Sequence, residues 1–117
     1  MANELRKKVQ TDRRITLHGK SASANGHLVD LSLQGIGVLS ERGAQIGTEL
    51  DCVFELPAFG VFKTFDLTGV VTHRHNTGNK VFLHIEFDHL NDENRAGLQD
   101  FIDYKNRLSQ TSKRTFR

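Results

Sequence analysis

Hydrophobic and polar side chains alternate through much of the chain. Over residues 49–56, Leu50, Cys52, Phe54 and Leu56 fall on one face and Glu49, Asp51, Val53 and Glu55 on the other. A period of two marks a half-buried strand, because successive side chains leave a strand on opposite faces. Residues 79–88 repeat the pattern, with Val81, Leu83, Ile85 and Phe87 inward and Phe82, His84 and Glu86 outward. Between them, residues 61–74 set Val61, Phe65, Leu67 and Val71 on one parity. Gly69 on that face allows a bend or bulge where a small barrel curves. Shorter strands are predicted over 14–18, 26–31 and 35–40.

Turn chemistry separates these runs. The stretch Ser21-Ala22-Ser23-Ala24-Asn25-Gly26 reads as a hairpin end, with Asn25-Gly26 suited to positive φ. Pro57-Ala58-Phe59-Gly60 is predicted to link two strands, which keeps the only proline out of a strand. Asn76-Thr77-Gly78-Asn79 closes another hairpin. Six short strands with tight connections predict a mostly-β, six-stranded antiparallel barrel, since an open sheet this small leaves unpaired edges.

After residue 90 the period lengthens. Asn91 or Asp92 caps a first turn where Glu93 suits the helix dipole. Leu98, Phe101, Ile102 and Leu108 then form a stripe spaced for a helix that covers one barrel opening. The predicted organisation is a basic N-terminal arm over 1–12, a barrel plus C-terminal helix over 13–108, and a flexible basic tail over 109–117.

A chain of 117 residues, 37% hydrophobic and 26% charged, has the size and composition of one globular domain. No apolar run approaches the roughly 20 residues of a membrane helix, and residues 1–6 lack the apolar stretch of a secretory signal. Cys52 is the only cysteine, so no internal disulfide forms. A cytoplasmic location without membrane insertion is expected.

Net charge hides an asymmetry. Residues 1–20 carry six basic and two acidic side chains, residues 105–117 five basic and none acidic, and residues 21–104 five basic and twelve acidic. An acidic body with basic ends points to an anion held at an end segment, although two solvated tails give the same composition.

Catalytic apparatus is not evident. His73 and His75 share a strand face, but no third ligand recurs at a metal-binding spacing. Cys52 belongs to an apolar face, where a thiol packs rather than attacks. No nucleophile elbow, phosphate loop or zinc-protease helix motif occurs. Neither an enzyme nor a bound cofactor is expected.

One segment does carry binding chemistry. Asp30-Leu31-Ser32-Leu33-Gln34-Gly35 sets a carboxylate, a hydroxyl and a glycine at the junction of two predicted strands. Asp30 can accept hydrogen bonds from a guanine N–H edge, Ser32 adds a short hydroxyl, and Gly35 admits a close approach to the backbone. Upstream, Arg6-Lys7-Lys8 supplies cations, and an arginine fork suits phosphate oxygens or the O6/N7 edge of guanine. The blander alternatives are a side-chain-bonded turn at Asp30 and Ser32, and a solvated basic arm.

Asp-x-Ser-x-x-Gly after a basic segment, followed by strands and a closing helix, resembles the PilZ domain family over roughly residues 5–108. The resemblance implies a six-stranded barrel with a C-terminal helix and a ligand, cyclic di-GMP, held between Arg-x-x-x-Arg on an N-terminal loop and the Asp-x-Ser-x-x-Gly surface. Asp30, Ser32 and Gly35 match the second motif. In the first, Arg6 is followed four residues later by Gln10, so the second arginine is missing; the register from Ala2 to Arg6 also supplies one arginine. Arg13 and Arg14 stand too near Asp30 to be that pair. Replacing an arginine fork by an amide removes about 1–3 kcal/mol, partly offset by Lys7, Lys8 and Arg13. The expectation is a cyclic di-GMP-responsive adaptor, binding through Arg6, Lys7, Gln10, Arg13, Asp30, Ser32 and Gly35, that alters its surface for a downstream protein. The alternative is a degenerate domain that only contacts proteins. Nucleic acid is disfavoured, because the body is acidic and Phe54 and Phe65 share the core parity rather than forming an exposed platform.

Overall fold

The computed structural model describes residues 8–115. Six strands, β1 (Val9–His18), β2 (Ser23–Leu31), β3 (Gly35–Ser40), β4 (Glu49–Ala58), β5 (Val61–Thr77) and β6 (Lys80–Phe87), precede one helix, α1 (Asp92–Thr115). All strand pairs are antiparallel and close a barrel in the order β1-β2-β3-β6-β5-β4. Closure through β1 and β4, Ile15 opposite Phe54 and Leu17 opposite Cys52, removes the sheet edges.

The alternation of β4 and β6 holds. Leu50, Cys52, Phe54 and Leu56 are buried with Leu83 and Ile85, and the Phe54 and Phe65 rings stack at 5.5 Å inside the barrel. Such offset aromatic contact adds to what burial alone supplies. Cys52 is fully buried, and burial pushes its thiol up to about 12.

Several boundaries and turns differ from the sequence expectation. The first strand starts at Val9 rather than near residue 14, because Val9 is itself buried and pairs with Leu31. Residues 9–12 of the expected arm therefore lie in β1. Asn25 and Gly26 are not a turn. They lie inside β2, and the chain reverses at Gly19, whose N–H donates to the Ala22 carbonyl at 2.8 Å. Gly26 is needed for closeness instead, since a Cβ there would stand 2.6 Å from the Leu39 carbonyl oxygen. Pro57 lies within β4 but beyond the last β1–β4 pair, so its missing N–H interrupts no ladder on that side. The β4–β5 reversal is the two-residue Phe59-Gly60, with φ of 54° and 82°, the geometry that matches strand twist in hairpins.

In β5, Val61 is 65% exposed at the hairpin tip rather than inward. The bulge falls between Val71 and His73, not at Gly69, where a Cβ would meet the Glu86 carbonyl oxygen at 2.7 Å. This bulge switches parity: Thr72 already faces outward, and His73 and His75 now join it on the outer surface.

Helix α1 is capped by Asn91, whose Oδ1 accepts from the Asn94 N–H at 2.7 Å. Leu98, Phe101 and Ile102 are buried over the barrel end, and Gly97 allows contact with Phe65. Lys63 reaches Glu93 at 2.9 Å, and Asp100 accepts from the Phe59 N–H at 2.8 Å, fastening the hairpin tip to the helix. Leu108 does not join the stripe and is 47% exposed. The helix continues through the expected tail to Thr115, with no glycine or proline after Gly97 to stop it. No described helix is long and apolar enough to cross a membrane.

Two outcomes follow from the core. The Cys52 thiol should resist a disulfide reagent at pH 8 in the folded protein and react at the rate of unfolding; fast labelling in native buffer contradicts its burial. Because the unfolded thiol ionises near pH 9 and the folded one near 12, its contribution to stability is intact below pH 9 and lost as pH rises from there toward 12. Denaturant midpoints of wild type and Cys52→Ala should then converge above pH 9.

Candidate functional site

The core requires both Leu28 and Leu31, which are fully buried although three residues apart. A strand of period two cannot turn both inward without an extra residue. Strand β2 supplies it: the β2–β3 register shifts between Leu28 (opposite Val38) and Asp30 (opposite Gly37). Val29 and Asp30 are thereby left on the outer face, where Val29 is 37% exposed.

The Asp30 carboxylate settles over Gly37. A Cβ at Gly37 would stand 2.7 and 2.9 Å from its two oxygens and 2.9 Å from Phe82 Cζ. Any larger residue would push the carboxylate off the sheet. On the other side, Gln10 of β1 pairs with Asp30, and Lys8 places its Nζ 3.7 Å from Asp30 Oδ2. The side chain of Asp30 keeps 17% exposure, so this cation–carboxylate pair lies at a solvent-facing notch.

Ser32 and Gly35 have other duties. The Ser32 hydroxyl accepts from the N–H groups of Gln34 (3.1 Å) and Gly35 (3.3 Å) and lies 3.4 Å from the Gly35 carbonyl oxygen, to which it can donate. The Ser32 N–H donates to that same carbonyl at 2.9 Å. These contacts hold the β2–β3 turn and keep Asp30 in register. Gly35 has no positive φ; it lets β6 approach, since a Cβ would come within 2.3 Å of the Ile85 carbonyl oxygen.

The remaining expected residues divide. Lys8, Gln10 and Asp30 are brought together. Arg13 is not: its guanidinium lies 5.4 Å from the Phe62 ring centroid, toward the β4–β5 hairpin. Arg6 and Lys7 lie outside the described residues. The linear motif does not mark Gly37, Phe82 or Lys8 as the direct partner of Asp30; a glycine on the outer face one strand away is the available signal for the first. Among the described residues, no three metal-ligating side chains cluster.

Beyond Gly37 the outer face carries rings. His84, opposite Gly37, has Nδ1 3.0 Å from the Thr72 hydroxyl, and His73 Nδ1 is 3.2 Å from the same oxygen. His75 stacks on Phe82 at 5.1 Å and 28°.

The family model of the PilZ domain matches residues 3–104. No curated protein matches the chain. Among solved structures, MotI/DgrA of Bacillus subtilis, an inhibitor of motility, superimposes with a TM-score of 0.72 at 16% identity, over 89% of this chain and 50% of that one. The PilZ domain of Escherichia coli YcgR, solved with c-di-GMP, gives 0.66 at 16% identity, over 91% and 93%. A tetrameric PilZ domain protein from Xanthomonas campestris, self-assembled via a helical bundle, gives 0.57 at 19% identity, over 77% and 49%. At these identities the likeness is one of fold, and this chain spans half of MotI/DgrA.

The geometry separates scaffold from surface. Gly35→Ala should destabilise the barrel by about 1–3 kcal/mol or more through overpacking against β6. Ser32→Ala should cost about 0.5–1.5 kcal/mol, and Asp30→Ala should change stability least, having only one long, partly exposed ion pair to lose. Urea midpoints in the opposite order contradict these assignments.

Proposed function

This chain belongs to the PilZ domain family, and from that membership we propose that it is a cyclic di-GMP-responsive binding protein whose ligand docks at Asp30. The carrying observation is the carboxylate held over Gly37, partly exposed, in register with Gln10 and beside Lys8. A carboxylate beside a cation matches both parts of the ligand: it accepts from a guanine N–H edge while the cation meets phosphate. Ser32 and Gly35 act by fixing the turn that presents Asp30. Arg6 and Lys7, immediately before Lys8, add charge toward the phosphates. Arg13 contributes charge at longer range.

The family's domain is a binding module, and in this reading the chain works without catalysis. Ligand-dependent exposure of its surface is what a downstream protein reads, since a ligand shifts an equilibrium only through unequal affinity for two states. A second reading, protein contact without nucleotide, is favoured by the exposed hairpin and helix side chains Phe59, Val61, Phe62, Tyr104 and Leu108.

Titration calorimetry with cyclic di-GMP at moderate salt tests the first reading. Wild type should give an isotherm that weakens as salt rises, and Asp30→Ala should abolish it while staying folded. Gln10→Arg should tighten binding by about 1–3 kcal/mol, because the missing fork is restored opposite Asp30. Silence at hundreds of micromolar ligand, wild type and Gln10→Arg alike, selects the second reading.

A further inference from the structure

The aromatic side chains beside the notch lie on the outer face, apart from the barrel core. Phe82 belongs to the outward parity of β6 and is only half-buried, while the barrel interior is filled by other residues. Its Cζ nevertheless reaches down to Gly37, where it converges with both oxygens of Asp30. On one face Phe82 carries the His75 imidazole, 5.1 Å away at 28°. That partner is itself exposed. A flat apolar ring thus stands next to a partly exposed carboxylate and stacks on a second ring.

From this geometry we infer that Phe82 is a base-stacking wall of the nucleotide site and that His75 is its positioning residue, an inference that rests on the cyclic di-GMP reading. The guanine whose N–H edge donates to Asp30 would extend the stack on the side of Phe82 away from His75. Gly37 is required because any Cβ there would separate the carboxylate from the ring. The bulge between Val71 and His73 is equally part of the device: it switches the parity of β5 and brings His75 outward, opposite Phe82. Stacking on an aromatic face is tolerant of base identity, so discrimination for guanine stays with Asp30 while Phe82 supplies affinity.

The test uses the full chain, which contains no tryptophan. Calorimetry with cyclic di-GMP should show Phe82→Leu weakened roughly five- to hundred-fold, the range for loss of one stacked base. Phe82→Trp should retain binding, and guanine stacking should quench the new indole's emission during the titration. His75→Ala should lose a smaller factor, restored by His75→Phe, which keeps the stack but not the imidazole. Circular dichroism melts confirm that each variant is folded. Wild-type affinity in Phe82→Leu, or a Phe82→Trp variant that binds with unchanged emission, overturns the wall while leaving the nucleotide site standing. A wild-type chain that is silent toward cyclic di-GMP overturns the nucleotide reading and the wall together.

Discussion

Two leucines three residues apart, both buried without remainder, force an extra residue into β2. The barrel cannot bury Leu28 and Leu31 together unless the β2–β3 register slips, and the slip turns Asp30 outward over Gly37. A packing demand in the core therefore places the polar group on the surface. The demand is strong, because fully burying a leucine contributes roughly 1.5–3 kcal/mol relative to leaving it in water. The surface geometry inherits that rigidity: Asp30 sits on a strand rather than a loop, flanked by β1 and β3, with the Ser32 turn fixing the register at its end.

Glycine placement completes the constraint. Gly35 and Gly37 occupy the outer parity of β3, one pressed by the β6 backbone and the other by the Asp30 carboxylate and Phe82. Neither needs an unusual backbone angle; both are small because something else must come close. The same holds for Gly26 and Gly69. Where a left-handed backbone is needed, it falls in turns: Gly47, Phe59-Gly60 and Gly78.

Much of the fold was legible in alternation. The inward residues of β4 and β6 and the helix residues Leu98, Phe101 and Ile102 follow directly from their spacing. What periodicity concealed were the bulges, since a strand that changes parity looks like two shorter or misphased ones. Turn composition misled at Asn25-Gly26, where the glycine answers to a neighbouring strand rather than to its own φ. The helix ran past the expected end because polar composition alone does not stop a helix that lacks glycine and proline. At the site, the outward placement of Asp30 and the turn bonded by Ser32 could be read from Asp-x-Ser-x-x-Gly, but the duty of Gly35 toward β6 could not. Lys8 and Phe82 depend on cross-strand neighbours, and a linear motif carries no information on those.

The proposed docking of cyclic di-GMP on the outer face of β1, β2, β3 and β6 around Asp30 can be followed residue by residue. Amide chemical-shift mapping on the 15N-labelled chain addresses it directly. Titration should move the signals of Lys8 to Gln10, Val29 to Gly37 and Phe82 to His84 as one saturable set. The opposite barrel mouth lined by Leu17, Lys20, Arg42 and Leu50, a cavity of about 770 Å³, should stay unmoved. Shifts centred on that mouth, with Asp30 and Gly37 unaffected at saturation, would place the ligand elsewhere and rule out docking at Asp30.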